Sequence, residues 1–285
     1  MDRTVKSYAK INISLNIKSK REDGYHELDS VMVPIELHDS MIISNLYHSD
    51  DNFVTVDDFS NGLIHYNLVG TVINAMAKKY NFTNKFRVYI HKVIPMQAGL
   101  GGGSSNAAHM MKAVNNILKL NATDDELIEL AKSSGADIPF FIKAVPARCQ
   151  GIGEKIEPIE IKNNYYVLLV KPQSGCSTKE VFAISDKKPY PQVDIDAVVN
   201  ALKEGDDDKL AEVMGNSLEE AAMSLNPEIR QIKDTLKSMG FKLVLMSGSG
   251  STVYALSTDL KALKKAQKAL EEQYYAEITR IINKK

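Results

Sequence analysis

Apolar and polar side chains alternate along the beginning of the chain, which is the pattern of a β-strand with one buried face. This alternation covers residues 5–17. Glu22-Asp23-Gly24 then predicts a turn, and residues 31–37 form a second apolar stretch. Because Pro34 has no backbone N–H to donate to a neighbouring strand, we predict that the second stretch is an edge strand or contains a bulge.

From residue 50 to residue 154, strand and helix periodicities alternate between turn-rich segments. In chain order the pattern predicts a polar loop over 50–62, a helix over 63–79, a strand over 86–90, an amphipathic helix behind residue 105, a helix from the Thr123–Glu126 capping box to Gly135, an apolar run over 138–145 and a turn over 151–154.

The pattern restarts near residue 160. It predicts a buried strand over 165–171, helices over 193–203 and 207–224, a helix after Pro227, strands over 243–246 and 252–256 around a tight loop at 247–250, a helix over 259–273 and a final strand over 276–282. This order favours an α+β sandwich in the second half. We therefore predict a two-lobed α+β protein that is divided near residues 155–163, with domains over 1–158 and 159–285.

Composition narrows the class of protein. The chain has 285 residues, and its 35 Lys and Arg balance 36 Asp and Glu to a net charge of −1. A balanced charge predicts no bulk attraction to nucleic acid or to an anionic membrane. A hydrophobic content of 44% excludes a disordered chain or a collagen-like repeat.

Cysteine usage and the N-terminal pattern bear on the compartment. Cys149 and Cys176 are the two cysteines, which is too few for a disulfide framework in a chain of this length. The N-terminal residues contain no uninterrupted apolar segment of the kind a signal peptide needs. We predict a cytoplasmic protein.

The most unusual segment precedes the helix behind residue 105. It consists of Pro95, Met96, Gln97, Ala98, Gly99, Leu100, Gly101, Gly102, Gly103, Ser104 and Ser105. A glycine-rich turn that leads into a helix presents free backbone N–H groups at the positive end of the helix dipole, and such a site binds phosphate. The two serine hydroxyls could cap the helix, bond a phosphate oxygen or reach Mg²⁺.

Other interpretations of this segment are weaker. No Lys-Ser or Lys-Thr follows the last glycine, as a Walker A loop requires. No acidic residue stands about 20 residues further on at the end of a second parallel strand, as a dinucleotide-binding fingerprint requires. The alternative without function is a flexible Gly/Ser linker. The strand and helix patterns that flank the segment disfavour it.

Several charged and aromatic residues are candidates for chemistry. Asp137 lies among apolar residues, where it could act as a general base or be a solvated turn residue. Lys10 and Asn12 share one face of the first strand, which could equally be a solvated face. The six histidines show no metal-ligand spacing, so we predict no zinc site, and the ligands of any other metal stay unknown.

Three segments resemble the motifs of the galactokinase, homoserine kinase, mevalonate kinase and phosphomevalonate kinase (GHMP) superfamily. They are residues 9–15, the glycine-rich segment 95–105 and residues 246–253, and they occur in the expected order. Residues 23–28, 135–141 and 151–154 further resemble one family of that superfamily, the 4-diphosphocytidyl-2-C-methyl-D-erythritol kinases. The similarity covers roughly the whole chain.

The resemblance implies a fold and a reaction. It implies an N-terminal lobe like the second domain of ribosomal protein S5, a ferredoxin-like C-terminal lobe and a cleft between them. It also implies an ATP-dependent kinase that uses Mg²⁺ and phosphorylates the 2-hydroxyl of a cytidine diphosphate-bearing alcohol in non-mevalonate isoprenoid precursor biosynthesis. The implied partner is therefore a small molecule, with no nucleic acid and no membrane, and the protein would be a monomer or a homodimer.

The resemblance also assigns roles to residues. It implies that residues 95–105 hold the nucleotide phosphates, that Asp137 is the general base and that Lys10 pairs with Asp137. The other implied roles are in acceptor binding. Asn12 would hydrogen-bond the substrate, Tyr25 and Phe182 would stack on the two faces of a cytosine ring and His26 would hydrogen-bond its edge.

The chain departs from the resemblance at three places. Asn106 stands where many relatives carry Asp, residues 60–64 lack the usual Asp-Asn-Leu-Ile order near the adenine, and Cys149-Gln150 replace a small residue and Thr. Two other functions fit the same motifs: a kinase for another small alcohol, of the homoserine or mevalonate type, and a nucleotide-binding sensor without catalysis.

Overall fold

The computed structural model describes residues 2–46, 50–57 and 68–283. The chain divides into two compact units, and neither is a continuous segment. The first unit contains Met1–Ala9, Leu37–Pro95 and Gly101–Ala144, and the second contains Lys10–Glu36, Met96–Leu100 and Val145–Lys285. The domain boundary predicted after residue 158 stays a prediction.

The strands of the described residues are β1 (Arg3–Lys20), β2 (His26–Leu46), β3 (Phe53–Asp57), β4 (Lys85–His91), β5 (Ala147–Gly151), β6 (Lys155–Pro158), β7 (Tyr166–Lys171), β8 (Leu243–Met246), β9 (Val253–Ser257) and β10 (Tyr275–Arg280). The helices are α1 (Leu68–Tyr80), α2 (Gly102–Leu118), α3 (Asp124–Ala131), α4 (Ile138–Lys143), α5 (Thr178–Ser185), α6 (Ile195–Glu204), α7 (Asp207–Val213), α8 (Glu219–Leu225), α9 (Glu228–Ser238) and α10 (Leu260–Leu270).

In the first unit, helices cover a small sheet. Residues 40–46 of β2 pair antiparallel with β4, and β4 pairs parallel with β3. Phe86, Val88 and Ile90 of β4 are fully buried, because strand alternation places all three on one face. Helix α1 buries its apolar stripe and packs on α2, whose N-terminus is the start of the predicted phosphate site.

In the second unit, residues 28–32 of β2 pair with β5, and β5 pairs with β6. A separate antiparallel sheet has the strand order β10-β7-β9-β8. This order, with a helix between β9 and β10, is the ferredoxin-like arrangement that the resemblance implied. The nearly continuous apolar sequence of β7 follows from burial, since residues 167–170 are completely enclosed.

Most elements predicted from periodicity are present. The capping box is confirmed in detail: Thr123 accepts from the backbone of Glu126, and the Glu126 side chain accepts from the backbone of Thr123. The prediction that this helix ends at Gly135 is wrong, because α3 ends at Ala131 and a non-helical turn follows.

Two predictions about β2 and its surroundings are also wrong. Pro34 does not mark an edge strand, because β2 pairs with β1, β4 and β5, and the alternative of a bulge stays a prediction. Pro34 lies between the stretches that pair with β5 and β4, so its missing N–H interrupts neither ladder. Residues 53–57 form β3 within the segment predicted to be a loop, while residues 58–67 lie outside the described residues.

The helix predicted over 207–224 is two helices, α7 and α8. Between them Asn216 forms a parallel bridge with Leu15 of β1, and the backbone N–H of Leu15 donates to Gly215. A strand contact thus replaces one helical turn, which local periodicity could not reveal. Strands β5 and β6 and helix α5 were not predicted.

The helices of the described residues are too short or too polar to cross a membrane. Both cysteines are buried thiols and are not joined to each other.

Candidate functional site

The first turn of α2 has the backbone geometry that is typical of anion sites at helix N-termini. Its N-cap, Gly101, has φ 69° and ψ 18°, a left-handed conformation that favours glycine. No side chain caps the helix, and its first turn contains no acidic residue. The first intrahelical bond runs from the N–H of Ser105 to Gly101, so the N–H groups of residues 102–104 have no helical acceptor. They lie at the positive end of a 17-residue helix.

The two serines of this segment differ. The Ser105 hydroxyl is fully buried and donates to the carbonyl oxygen of Tyr8 at 2.6 Å, so it does not cap the helix. Its contribution is to fix the first turn of α2 to the start of the chain. Ser104 is only half-buried. Of the two hydroxyls, that of Ser104 is therefore the better candidate for a phosphate oxygen.

A buried ion pair lies beneath the start of α2. The ammonium of Lys92 donates to Asp39, whose side chain is completely enclosed. Lys92 Nζ and Ile94 Cγ2 would each lie 3.0 Å from a Cβ atom added to Gly102. A side chain at position 102 would therefore require Lys92 and Ile94 to shift by a few tenths of an ångström.

Asp39 also accounts for the asparagine at position 106. Asn106 Nδ2 donates to Asp39 Oδ2 at 3.0 Å and to Ser7 Oγ at 2.6 Å. An aspartate at position 106 would place a second carboxylate against Asp39, which is unfavourable without a second cation. The backbone N–H groups of Val93 and Ile94 donate to the other oxygen of Asp39.

Asp137 is in the first unit, at the N-cap of α4. It is half-buried, and its side chain makes no cap hydrogen bond. Ile138 and Phe140 behind it are fully enclosed, so α4 holds the position of the carboxylate rigidly. Its role as a base and its pairing with Lys10 stay predictions.

In the second unit, Met96–Leu100 lies against the loop at 247–250. Ser247 Oγ donates to the carbonyl oxygen of Gly99 at 2.9 Å, and the N–H of Thr252 donates to Ala98 at 3.3 Å. Gly99 has φ 72°, and a Cβ atom there would overlap the carbonyl oxygen of Ser247. The two glycine-rich segments therefore lie against each other over residues 96–100.

Lys10 and Asn12 are not on a solvated face. They are 3% and 1% exposed, and Lys10 Nζ donates to Asn12 Oδ1 at 2.6 Å. Asn12 Nδ2 donates to Ser30 Oγ at 2.8 Å, which fixes the orientation of the amide. Lys10 Nζ and Asn12 Oδ1 would lie 3.3 and 3.4 Å from a Cβ atom on Gly248.

Asn216 is a residue of this region that the sequence analysis missed. Its Nδ2 donates to the carbonyl oxygens of Met246 and Gly248 at 2.9 and 2.8 Å. These bonds connect the loop at 247–250 to the segment between α7 and α8. The available signal was the Gly215-Asn216-Ser217 segment inside a helical pattern, where turn residues indicate a break.

The predicted acceptor residues are all in the second unit, and two of them, His26 and Phe182, are in contact. Tyr25 is 52% exposed, as a stacking platform must be, whereas His26 is mostly buried. Phe182 stacks on the His26 ring, with ring centroids 4.4 Å apart. One face of Phe182 is therefore occupied by an imidazole of the same chain.

Asp186 holds His26 and was missed by the sequence analysis. The contact from His26 Nε2 to Asp186 Oδ1 is 2.7 Å, and Lys20 and Tyr190 also donate to this carboxylate. Partial burial acts to raise the pKa of Asp186, but the hydrogen bonds from Lys20, Tyr190 and His26 outweigh it and lower the pKa to about 2. Asp186 is therefore ionised at neutral pH.

In the described part of the chain, no three His, Cys, Asp or Glu side chains gather in a way that could hold a metal ion. Magnesium in kinases is bound largely by substrate phosphates and water, with one or two carboxylates. The donor set of this chain is compatible with such a nucleotide-bound ion.

The chain matches two family models. Residues 67–144 match the N-terminal domain of GHMP kinases, and residues 198–276 match the C-terminal domain. A relative from Streptococcus uberis is 39% identical over 249 residues, which is 87% of each chain. The 4-diphosphocytidyl-2-C-methyl-D-erythritol kinase of Bacillus cytotoxicus is 35% identical and covers 97% of this chain and 96% of its own.

A solved structure agrees with these relatives. The crystal structure of a 4-(cytidine 5'-diphospho)-2C-methyl-D-erythritol kinase superimposes with a TM-score of 0.81 at 28% identity, over 100% of both chains. The agreement extends over both family domains and the full length. The chain therefore belongs to the 4-diphosphocytidyl-2-C-methyl-D-erythritol kinase family of the GHMP kinases.

Proposed function

We propose that this protein transfers the γ-phosphoryl group of ATP to the 2-hydroxyl of 4-diphosphocytidyl-2-C-methyl-D-erythritol, which gives the 2-phosphate and ADP in non-mevalonate isoprenoid precursor biosynthesis. Family membership supports this reaction. The structural observation that carries it is the uncapped start of α2 behind the left-handed Gly101.

Phosphoryl transfer depends mainly on positioning and on stabilisation of charge. The N–H groups of residues 102–104 would donate to the β- and γ-phosphate oxygens, which are the groups that gain or redistribute negative charge. Mg²⁺, when bound with the nucleotide, would neutralise further phosphate charge. The bare amides are fixed in place by α2, so they need no rearrangement when the transition state forms.

The acceptor hydroxyl must lose its proton. We assign this step to the Asp137 carboxylate, which would take the proton while the hydroxyl oxygen attacks the γ-phosphorus and the bond to the β–γ bridging oxygen breaks. Lys10 would stabilise the ionised carboxylate and orient the hydroxyl, with Asn12 holding Lys10. Because Lys10 is buried, its ammonium acts in a less polar surrounding than water, where its charge has a larger effect.

For the acceptor we propose that Tyr25 stacks on the cytosine ring and His26 bonds the edge of the ring. The exposure of Tyr25 and the contact that holds His26 against Asp186 support these roles. Phe182 would act by supporting His26 and by offering its remaining surface to the base.

An acceptor screen tests the proposed function. Purified protein with MgATP should form ADP when the cytidyl alcohol is present and not with homoserine or mevalonate, and CDP should compete with the acceptor. ADP formation with one of the other alcohols and no effect of CDP would replace the proposed substrate. The absence of acceptor-dependent ADP formation with every alcohol would indicate a nucleotide-binding sensor.

Substitution of Asp137, the proposed general base, tests the mechanism. We expect Asp137→Ala to lower kcat by about 10³-fold while the dissociation constant for ATP stays unchanged. Asp125→Ala is the matched control, because this aspartate of the same unit is 90% exposed and lies in the first turn of α3. Unchanged turnover of Asp137→Ala would remove this residue from the mechanism.

We further propose a cytoplasmic enzyme that is a monomer or a homodimer. The balanced charge of −1 supports a protein that is not held on nucleic acid or on an anionic membrane surface. Light scattering on the purified chain would distinguish one copy from two.

A further inference from the structure

The Asp186 carboxylate forms the centre of a small polar cluster at the end of α5, where it is the C-cap residue. Its Oδ1 lies 2.7 Å from His26 Nε2 and accepts from the Tyr190 hydroxyl at 2.6 Å. Its other oxygen, Oδ2, accepts from Lys20 Nζ at 2.6 Å. Both oxygens are therefore engaged by donors, and three separate segments of the second unit meet at this side chain.

This arrangement decides which nitrogen of His26 carries a proton. An ionised carboxylate has no proton to give, so a contact of 2.7 Å requires that Nε2 is the donor. The ammonium of Lys20 pairs with the other oxygen of Asp186. In the neutral ring with a proton on Nε2, Nδ1 is a hydrogen-bond acceptor.

Two aromatic side chains also fix the orientation of the His26 ring. Phe182 stacks on it with an angle of 30° between the planes, and Tyr190 meets it edge-on at 84° with centroids 6.1 Å apart. Among the described residues no hydrogen bond to His26 Nδ1 is found, while Nε2 is fully used. Nδ1 is thus the ring atom left for a ligand.

We propose that Asp186 is a positioning residue that fixes the Nε2–H tautomer of His26 and thereby makes the site select a base that presents an amino group. A pyrimidine with an exocyclic amine can donate to Nδ1, whereas one with a carbonyl at the same place offers only an acceptor, which leaves both groups without a proton between them. The selectivity part of this inference rests on the proposed cytidine-bearing acceptor, and the tautomer part does not.

The tautomer is tested on the free protein by ¹⁵N NMR of its histidine side chains, with the His26 signals assigned from His26→Gln. The expected spectrum has a protonated Nε2 and a bare Nδ1 for His26. In Asp186→Ala the two nitrogens should give averaged signals of exchanging tautomers. A proton on Nδ1 in the unsubstituted protein, or identical His26 signals in Asp186→Ala, would overturn the assignment.

The selectivity is tested by the dissociation constants for CDP and UDP. We expect CDP to bind about tenfold more tightly than UDP. Asp186→Ala should reduce this ratio of dissociation constants about threefold or more, because the two nucleotides differ by one well-oriented hydrogen bond to His26. Asp208→Ala is the matched control, since Asp208 is an exposed aspartate of the second unit that pairs with Lys242. It should leave the ratio and the His26 spectrum unchanged.

Asp186→Asn keeps the size of the side chain and one acceptor oxygen. It should restore most of the Nε2–H signature and most of the CDP preference, which a general loosening of the fold would not do. An unchanged CDP to UDP ratio in Asp186→Ala would refute the selectivity role. If neither nucleotide binds any of the proteins, the proposed acceptor fails, while the NMR result still decides the role of Asp186.

Discussion

Residues 101–104 and residues 247–250 are both rich in glycine and small residues, yet glycine is needed in them for different physical reasons. At 101–104 a left-handed glycine starts α2 without a side-chain cap, so among the described residues the first backbone N–H groups of α2 have no acceptor. At 247–250 the backbone is enclosed by Asn216, Gly99 and the Lys10 side chain, and little room remains for a Cβ atom.

The difference separates two uses of the same residue type. In the first segment glycine leaves polar groups available to a ligand, so a substitution should affect binding more than folding. In the second segment glycine allows backbone to pack against backbone and against Lys10, so a substitution should affect stability and the placement of the Lys10 side chain. Substitutions at single glycines can therefore distinguish the two.

Gly99→Ala should have the largest effect on stability. Its Cβ atom would overlap a backbone oxygen, that of Ser247, which no side-chain rotation can relieve. We expect a loss of about 3 kcal/mol or more in the free energy of unfolding, measured by urea denaturation. Gly240→Ala is the control, because Gly240 also has a positive φ (93°) but nothing within 4 Å. It should cost only about 1 kcal/mol, and equal losses in the two variants would contradict the packing argument.

Gly101→Val should have the largest effect on binding. A β-branched residue disfavours the left-handed conformation, so the start of α2 and its bare amides would be rearranged. We expect ATP binding to be lost in calorimetry while the circular dichroism spectrum stays that of a folded protein. Gly240→Val imposes a comparable backbone strain elsewhere and should bind ATP normally. An unaltered ATP dissociation constant in Gly101→Val would refute the phosphate role of this segment.

Asn216→Ala should have an intermediate effect. It removes the side-chain bonds to two carbonyl oxygens, those of Met246 and Gly248. The expected loss in the free energy of unfolding is about 2 kcal/mol, because both acceptors are left buried without this donor. A loss below about 0.5 kcal/mol in urea denaturation would show that the loop is held by other contacts.

Gly248→Ala should have the smallest effect of the four. The added Cβ atom would lie 3.2 Å from the carbonyl oxygen of Gly99 and 3.3 Å from Lys10 Nζ, so shifts of a few tenths of an ångström would be needed, and the positive φ of 56° adds a strain like that at Gly240. We expect kcat to fall about tenfold, equivalent to about 1.4 kcal/mol, with an unchanged dissociation constant for ATP. A change in ATP affinity with unchanged kcat would instead connect this loop with the nucleotide.

Local signals in the sequence were sufficient for much of the fold. Strand β1, the stripe of α1 and the Thr123 capping box depend on residues within one or two turns of each other, so periodicity and capping rules identify them. The break between α7 and α8 depends on a bridge from Asn216 to Leu15, which lies near the opposite end of the chain. No local pattern contains that information.

The candidate site also contains some residues that local sequence patterns identify and others that only long-range contacts reveal. The glycine-rich start of α2 was identifiable because consecutive glycines are unfavourable inside a helix or a strand, whereas directly before an amphipathic helix they leave its first N–H groups open to an anion. Asp186 could not be identified from the sequence. Its role depends on contacts with Lys20 and His26, which are distant from it in the sequence. Asp39 and Lys92 were missed for the same reason, since each is an ordinary charged residue until folding buries the pair.

The most direct test of the account is a crystal structure of the protein in complex with Mg²⁺ and a non-hydrolysable ATP analogue. We expect β- or γ-phosphate oxygens within hydrogen-bonding distance, about 3 Å, of the backbone nitrogens of residues 102–104. A polyphosphate bound away from the start of α2, with those N–H groups facing only water, would contradict it.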